Sequence, residues 1–241
     1  MNRSTGKMLG RAVCAGVLIL LLGLWALKAG KEALSSSYLQ SAYQGLDRSA
    51  TPGQRLREDE WMRAMKYLAD SLRYSPRNPW TLEEMGALQL RRMRAPTDSS
   101  LPMVAVRSAN VNFHMALMRR PTSPVAWANL ALTKLYLDEQ DDELFEALRH
   151  ADDLGPWEPE VQQLVLFVSL AAWDKLGTAQ RAAAVRTLER AAQRDAEKAA
   201  NIVENFKRLD LLCDIKNDKL KVEEPCSRLR KSTAERSSQA R

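Results

Sequence analysis

The stretch RRPTSPVAW, residues 119–127, places two prolines three positions apart beside a pair of arginines. Two readings compete. As an exposed extended segment it is a PxxP ligand for an SH3-type partner. Between helices it is punctuation, because proline disrupts a helix interior but sits well at a helix start. The same spacing occurs in SPRNPW, with Pro76 and Pro79, and in GPWEPE, with Pro156 and Pro159, so six of the ten prolines form three identical pairs. Their separations favour punctuation. Pro121 to Pro156 and Pro124 to Pro159 are each 35 residues, and Pro76 to Pro121 and Pro79 to Pro124 are each 45. The ten extra residues fall on RAPTDSSLPM, residues 94–103, a polar stretch carrying Pro96 and Pro102 between two helical patterns. Without that insertion the period is 35 throughout.

A 34-residue helix-turn-helix period is the tetratricopeptide signature, and the residues inside each period agree with it. In SANVNFHMALMRRP, Ala109, Phe113, Ala116, Leu117 and Pro121 follow the second-helix pattern of small, large, small and terminal proline. Trp127, Leu130 and Ala131 open the next first helix, and Leu82, Met85 and Gly86 take the same places one repeat earlier. Ala64, Leu68, Ser71, Leu72 and Pro76 supply an earlier second helix; Leu144, Leu148, Ala151 and Pro156 supply a later one. Small residues such as Ala116 and Ala131 belong where helices approach closely, and Arg120 falls on the polar side. The first proline of each pair then closes one repeat, and the second opens the next, where its missing N–H does no harm.

Composition fits an all-α body. The 241 residues are 45% apolar and 27% charged, with only ten glycines and few segments that alternate as strands do. The net charge of +6 is spread among interspersed acids, and no basic block stands beside aromatic residues, which argues against a nucleic-acid partner. Residues 12–27, AVCAGVLILLLGLWAL, carry no charge and are flanked by Arg11 and Lys28. Sixteen helical residues cover roughly 24 Å, and the flanking cations can snorkel to complete a span. A cleaved signal peptide is the rival reading, but Lys28, Lys31 and Glu32 separate the run from any small-residue site. The expected organisation is an uncleaved anchor over 1–34, a linker helix over 35–53, a tetratricopeptide-like domain over 54–213 and a tail over 214–241.

The last hairpin is expected from Val161 to Lys175 and from Ala179 to about Cys213, with Gly177 as a C-cap. Cys213 and Cys226 bracket the polar segment CDIKNDKLKVEEPC. In an oxidising compartment they can close a disulfide; otherwise they are two free thiols. Two cysteines without a nearby histidine are too few for zinc. The basic, serine-rich end, SRLRKSTAERSSQAR, is expected to be disordered.

Chemistry is sparse. His114 and His150 fall on second helices of different repeats with no triad spacing around them. HExxH, GxSxG, Walker A and GxGxxG sequences are absent. DEQDDELFE, residues 138–146, lacks the glycine and ligand spacing of an EF-hand and reads as a turn before an acidic helix start. Neither an enzyme nor a cofactor or metal site is expected.

The chain resembles the VpsP-like polysaccharide biosynthesis proteins of proteobacteria. The residues that carry the resemblance are the single N-terminal apolar run, SSSYLQSAYQ, the helix led by Trp61 that ends at SPRNPW, NVNFHMALMRRPTSPVAWANLA, LGPWEPEVQ leading to AAWDKLG, and Cys213. Similar repeat segments end O-antigen polymerase-type proteins. The resemblance implies a scaffold or accessory role among the proteins of exopolysaccharide synthesis or export. Three basic residues before the apolar run, Arg3, Lys7 and Arg11, favour a cytoplasmic N-terminus, and with the cysteine pair the expected placement is the bacterial inner membrane with a periplasmic repeat domain. The alternative is a membrane-bound tetratricopeptide chaperone, or translocon-associated protein, for secreted clients.

Overall fold

The structure is a computed structural model that describes residues 3–49, 57–93, 103–215, 223 and 226–227, with side chains along the first helix from Gly16 to Leu46 and none at 92–93. The described residues are all-helical, with ten α-helices, one 3-10 turn and no strand. Among the described residues, short turns at 75–78, 118–123 and 155–158 each carry a proline and join helices, and the all-helical order is consistent with an α solenoid. The chain divides into two compact units, Met1–Leu88 and Gln89–Arg241. The polar insertion at 94–102 and the tail from 228 onward lie outside the described residues.

Unit 1 contains α1 (Arg3–Ser49), α2 (Glu58–Tyr74) and most of α3 (Pro79–Met93). The anchor and the linker helix expected as separate pieces are one continuous helix of 47 residues. No proline interrupts it, and two serines in its second half turn their hydroxyls back onto the helix. Ser36 donates to the Glu32 carbonyl and Ser41 to the Ser37 carbonyl, both at 2.9 Å. Ala42 and Leu46 of α1 then pack with Ala64, Leu68 and Leu88. Trp61, partly buried on this cluster, donates its indole N–H to the Leu88 carbonyl at 3.2 Å. At the opposite end of α2 the helices close on small polar groups. Ser71 Oγ lies 2.9 Å from both Ser35 Oγ and Thr81 Oγ1, and Asn78 donates to Ser35 Oγ at 3.2 Å. Ser35, Ser71 and Thr81 are fully buried, and their mutual bonds offset the desolvation that burial imposes.

Unit 2 contains the last turn of α3, then α4 (Met103–Leu117), α5 (Pro124–Tyr136), α6 (Asp142–Leu154) and α7 (Pro159–Ala171). A 3-10 turn (Trp173–Lys175), α8 (Thr178–Arg194), α9 (Ala196–Asn205) and α10 (Leu209–Cys213) complete it. Pro79, Pro124 and Pro159 each begin a helix, whereas Pro76, Pro121 and Pro156 lie in the preceding turns. Ser123 caps α5 by accepting from the Ala126 N–H at 3.2 Å, and Asp141 caps α6 by accepting from the Leu144 N–H at 3.1 Å. Phe113, Ala116, Ala126 and Ala131 are essentially inaccessible, so the small residues sit where helices meet. At Gly155, which ends α6, a Cβ would lie 2.7 Å from Pro124 Cβ, so the turn between α6 and α7 touches the start of α5 without room for a side chain.

Three local expectations are corrected. Arg120, placed on the polar side, is half-buried and donates to the capping Ser123 Oγ at 2.6 Å. Gly177 is not a C-cap but the residue that precedes α8, with an ordinary φ of −71°, because the 3-10 turn has already ended the preceding helix. The single helix expected from 179 to 213 is three helices. Asp195 interrupts it by capping α9, accepting from the Lys198 N–H at 3.0 Å. Lys207, at a φ of 57°, then ends α9 in the left-handed region, where the Arg208 N–H reaches back to the Val203 carbonyl at 2.8 Å.

Among the described residues no helix is long and apolar enough to cross a membrane. The span expected over 12–27 begins among residues whose side chains lie outside the description. Its described part, from Gly16 to Leu27, is solvent-exposed on every side of α1.

Candidate functional site

The candidate site is a groove of about 380 Å³ in unit 2, walled by α6 and α8 and floored by α7. Its floor is apolar or small, with Leu148, Val165 and Ala184 buried beneath it. The walls differ in charge for a reason visible in their sequences. DELFEALRHADDL supplies Glu146, Asp152 and Asp153, while TAQRAAAVRTLERAAQR supplies Arg186 at the mouth and Arg190 behind it.

Most of these charges are already committed to one another. Arg149 donates to Glu146 at 2.6 Å and to Asp153 at 3.1 Å, pairs that lie three and four residues apart on one helix face. Its hydrogen bond holds the Glu146 carboxyl below the usual carboxylate range. Asp152 accepts from Thr187 Oγ1 at 2.7 Å and from the Arg190 guanidinium. Arg190 and Gln162 both donate to the Pro156 carbonyl, at 3.1 and 2.8 Å, and Arg194 donates to Gln162 Oε1. The turn carrying Pro156 is therefore tied to α7 and α8, which keeps the groove walls in place. Ser169 and Thr187 are the hydroxyls that line the groove.

The histidines lie elsewhere and apart. His114 Nε2 is 3.5 Å from Glu143, on the approach of α4 to α6. The His150 ring stacks on Trp127 with centroids 4.6 Å apart, and the Trp127 indole donates to the Pro121 carbonyl at 2.8 Å. These contacts brace the start of α5 against α6.

The acidic run at 138–146 has a different employment. Lys134, near the end of α5, is 3% exposed, and its Nζ lies 2.7 Å from Glu143, 3.0 Å from Asp141 and 3.4 Å from Glu139. Burial alone pushes the Lys134 ammonium down, but the hydrogen bonds to Glu143 and Asp141 reverse this and hold its pKa above the ordinary lysine value. Burial likewise raises the Asp141 carboxyl, and the bonds from Lys134 and the Leu144 N–H outweigh it and lower the pKa. The carboxylates converge on an internal ammonium rather than an external cation, and among the described residues no group of three or more metal-ligating side chains forms a site. Sequence reasoning did not single out Lys134, because a lysine near a helix end ordinarily reads as solvated.

Cys213 and Cys226 are joined as a disulfide with their Cα atoms 5.6 Å apart. Cys226 is buried, and the partly buried Cys213 packs on the cluster of Leu188, Ala192, Val203 and Leu212. The bond lies outside the groove lining. No known protein family matches the chain, and no curated protein matches it significantly.

Proposed function

We propose that this chain is a membrane-anchored, tetratricopeptide-like scaffold or accessory protein for exopolysaccharide synthesis or export, working by protein binding rather than catalysis. The observation that carries the anchor is α1. From Val17 to Leu27 its large apolar side chains are 54 to 69% exposed all round the helix, while its other end is packed into unit 1. An aqueous surface does not ordinarily carry such a sleeve, and an apolar surface on every side suits lipid better than a one-sided partner. In sequence the run extends back to Ala12, flanked by Arg11 and Lys28.

The tetratricopeptide-like reading is supported by the 35-residue proline period and by alanines at the helix contacts. The Cys213–Cys226 pairing supports an oxidising compartment such as the periplasm for the body. The polysaccharide pathway is supported by the resemblance of the sequence to VpsP-like proteins, and the groove between α6 and α8 is the surface offered to a partner. The test is genetic. Deleting the gene abolishes extracellular polysaccharide and leaves secreted proteins correctly folded, and the full chain, but not one lacking residues 12–27, restores the polymer. Unchanged polysaccharide with misfolded secreted clients would overturn this reading in favour of a chaperone.

A further inference from the structure

The continuity of α1 places another part of unit 1 against the proposed bilayer. Because α1 has no break between its exposed apolar sleeve and its packed end, the position of any group bonded to α1 is fixed along the helix axis. Leu27, the last residue of the sleeve, precedes Ser35 by eight residues, roughly 12 Å of helix. Ser35 is bonded to Ser71 of α2 and to Asn78 of the following turn. Helix α2 runs antiparallel to α1: its Ser71 end meets Ser35, while Ala64 and Leu68 join the cluster of Ala42 and Leu46 farther along α1. Tyr74 lies three residues past Ser71 in the direction of the sleeve, about 4.5 Å nearer to it. The Tyr74 ring stacks on that of Tyr38 with centroids 5.7 Å apart, so the ring leans back along α1, since Tyr38 lies three residues farther from the sleeve than Ser35. The end of α2 therefore stands roughly 7 Å above the end of the sleeve, and the turn after it returns to the Ser35 level, roughly 12 Å above, where Asn78 bonds Ser35; the long arginine side chains can reach from there into a headgroup layer about 5 to 8 Å deep.

The composition of that turn suits the location. RYSPRNPW, residues 73–80, contains two arginines, a tyrosine and a tryptophan, with no carboxylate. Arg73, Tyr74, Arg77 and Trp80 are all exposed. Arg73 is 3.5 Å from Asp70, yet its side chain remains 80% exposed. Tryptophan and tyrosine favour the boundary between lipid and water, and arginine there pairs with lipid phosphates. Lys28 and Lys31 of α1 add basic charge at the same depth, and Glu32 lies 3.9 Å from Lys28.

We propose that residues 73–80 form a membrane-surface contact that docks the α2–α3 turn of unit 1 on anionic lipid headgroups. The contact gives unit 1 a second attachment beside α1 and sets its tilt on the bilayer. It rests on the reading of α1 as membrane-embedded. The test uses the full chain in nanodiscs of phosphatidylcholine, alone or mixed with phosphatidylglycerol, carrying nitroxide lipids labelled at the headgroup or in the acyl chain. Differences between wild type and Trp25→Phe isolate the emission of the sleeve, and differences from Trp80→Phe isolate that of the turn. The expected result is acyl-chain quenching of Trp25 and headgroup quenching of Trp80 that grows with phosphatidylglycerol. Arg73→Ser or Arg77→Ser alone lowers the phosphatidylglycerol-dependent docking equilibrium about fivefold and the two together about thirtyfold, at about 1 kcal/mol per basic residue near an anionic surface. Arg63→Ser, near the far end of α2, leaves it unchanged. Quenching of Trp25 without quenching of Trp80 overturns the contact and leaves the anchor standing; absence of both overturns the anchor as well.

Discussion

Replacing Lys134 with methionine keeps the apolar stem and removes the ammonium from the centre of three carboxylates. The lysine side chain is 4% exposed, whereas those of Glu139, Asp141 and Glu143 are 40 to 55% exposed. Removing one partner of a fully buried pair costs about 3 to 5 kcal/mol, because the other charge stays buried and uncompensated. Here the groups left behind are half in water and can rehydrate, so the expected cost is about 2 kcal/mol. For a chain of this size that lowers the melting temperature by about 4 to 8 °C. The control is Arg107→Met, which removes a 65% exposed cation 3.9 Å from Glu139 and should cost less than about 1 kcal/mol.

Scanning calorimetry across pH separates this electrostatic account from simple loss of packing. Lys134 has its pKa raised above 10.5, so its contribution is complete below pH 10.5 and is lost only as pH rises through the higher folded value. Asp141 has its pKa lowered below 3.8, so its contribution is present above 3.8 and is lost as pH falls through the lower folded value. The gap between wild type and Lys134→Met therefore stays constant from about pH 6 to pH 9 and closes under acid conditions below the ordinary carboxylate range. A gap at neutral pH no larger than that of Arg107→Met, or one that persists unchanged in strong acid, refutes the reasoning.

Gly155→Ala should cost about 1 to 3 kcal/mol by thermal unfolding, since the new Cβ meets the rigid Pro124 ring at 2.7 Å; at Gly177 it meets only the movable Gln180 amide, so Gly177→Ala should cost no more than the roughly 1 kcal/mol of alanine at a helix N-cap. Ala116→Trp, at a site 1% exposed, should overpack α4 and lower stability by at least that amount, and a melting point equal to wild type would contradict the close helix contact there. Lys207→Gly should stabilise α9 by up to about 1 kcal/mol by removing a side chain from a left-handed residue, read as slower amide exchange in α9 and α10. Cys213→Ser opens a bridge between positions thirteen apart, for which loop entropy gives a loss of about 3 kcal/mol, visible as faster exchange in α10; thiols that alkylate fully in protein taken from cells without reductant would contradict the bond and the oxidising compartment.

Much of the fold was legible because its signals are local. The second proline of each pair marks a helix start wherever it occurs, since its fixed φ and missing N–H suit that position alone among helical ones. Alanine at 109, 116 and 131 and phenylalanine at 113 announced close contacts through side-chain size, and all four are buried. The acidic run before α6 was readable as a helix start for the same reason, since Asp141 caps the first turn whatever the rest of the chain does.

Tertiary structure decided what depends on partners distant in sequence. Asp138 and Lys207 end helices with φ near 58° and 57°, positions that would ordinarily call for glycine, so no residue type marked those stops. Lys134 is buried because three carboxylates from the next turn and helix converge on it, and Gly155 is needed because Pro124, thirty-one positions earlier, fills the space a side chain would take. The groove depends on the separation of α6 from α8 over α7, which no single helix encodes. The unbroken course of α1 past its serines was likewise settled by packing, because Ser35 finds buried partners on α2 and in the α2–α3 turn instead of interrupting its own helix. Sequence specifies where helices begin through local backbone chemistry; which polar groups may be buried, and which glycines are required, follows from neighbours that only the folded chain assembles.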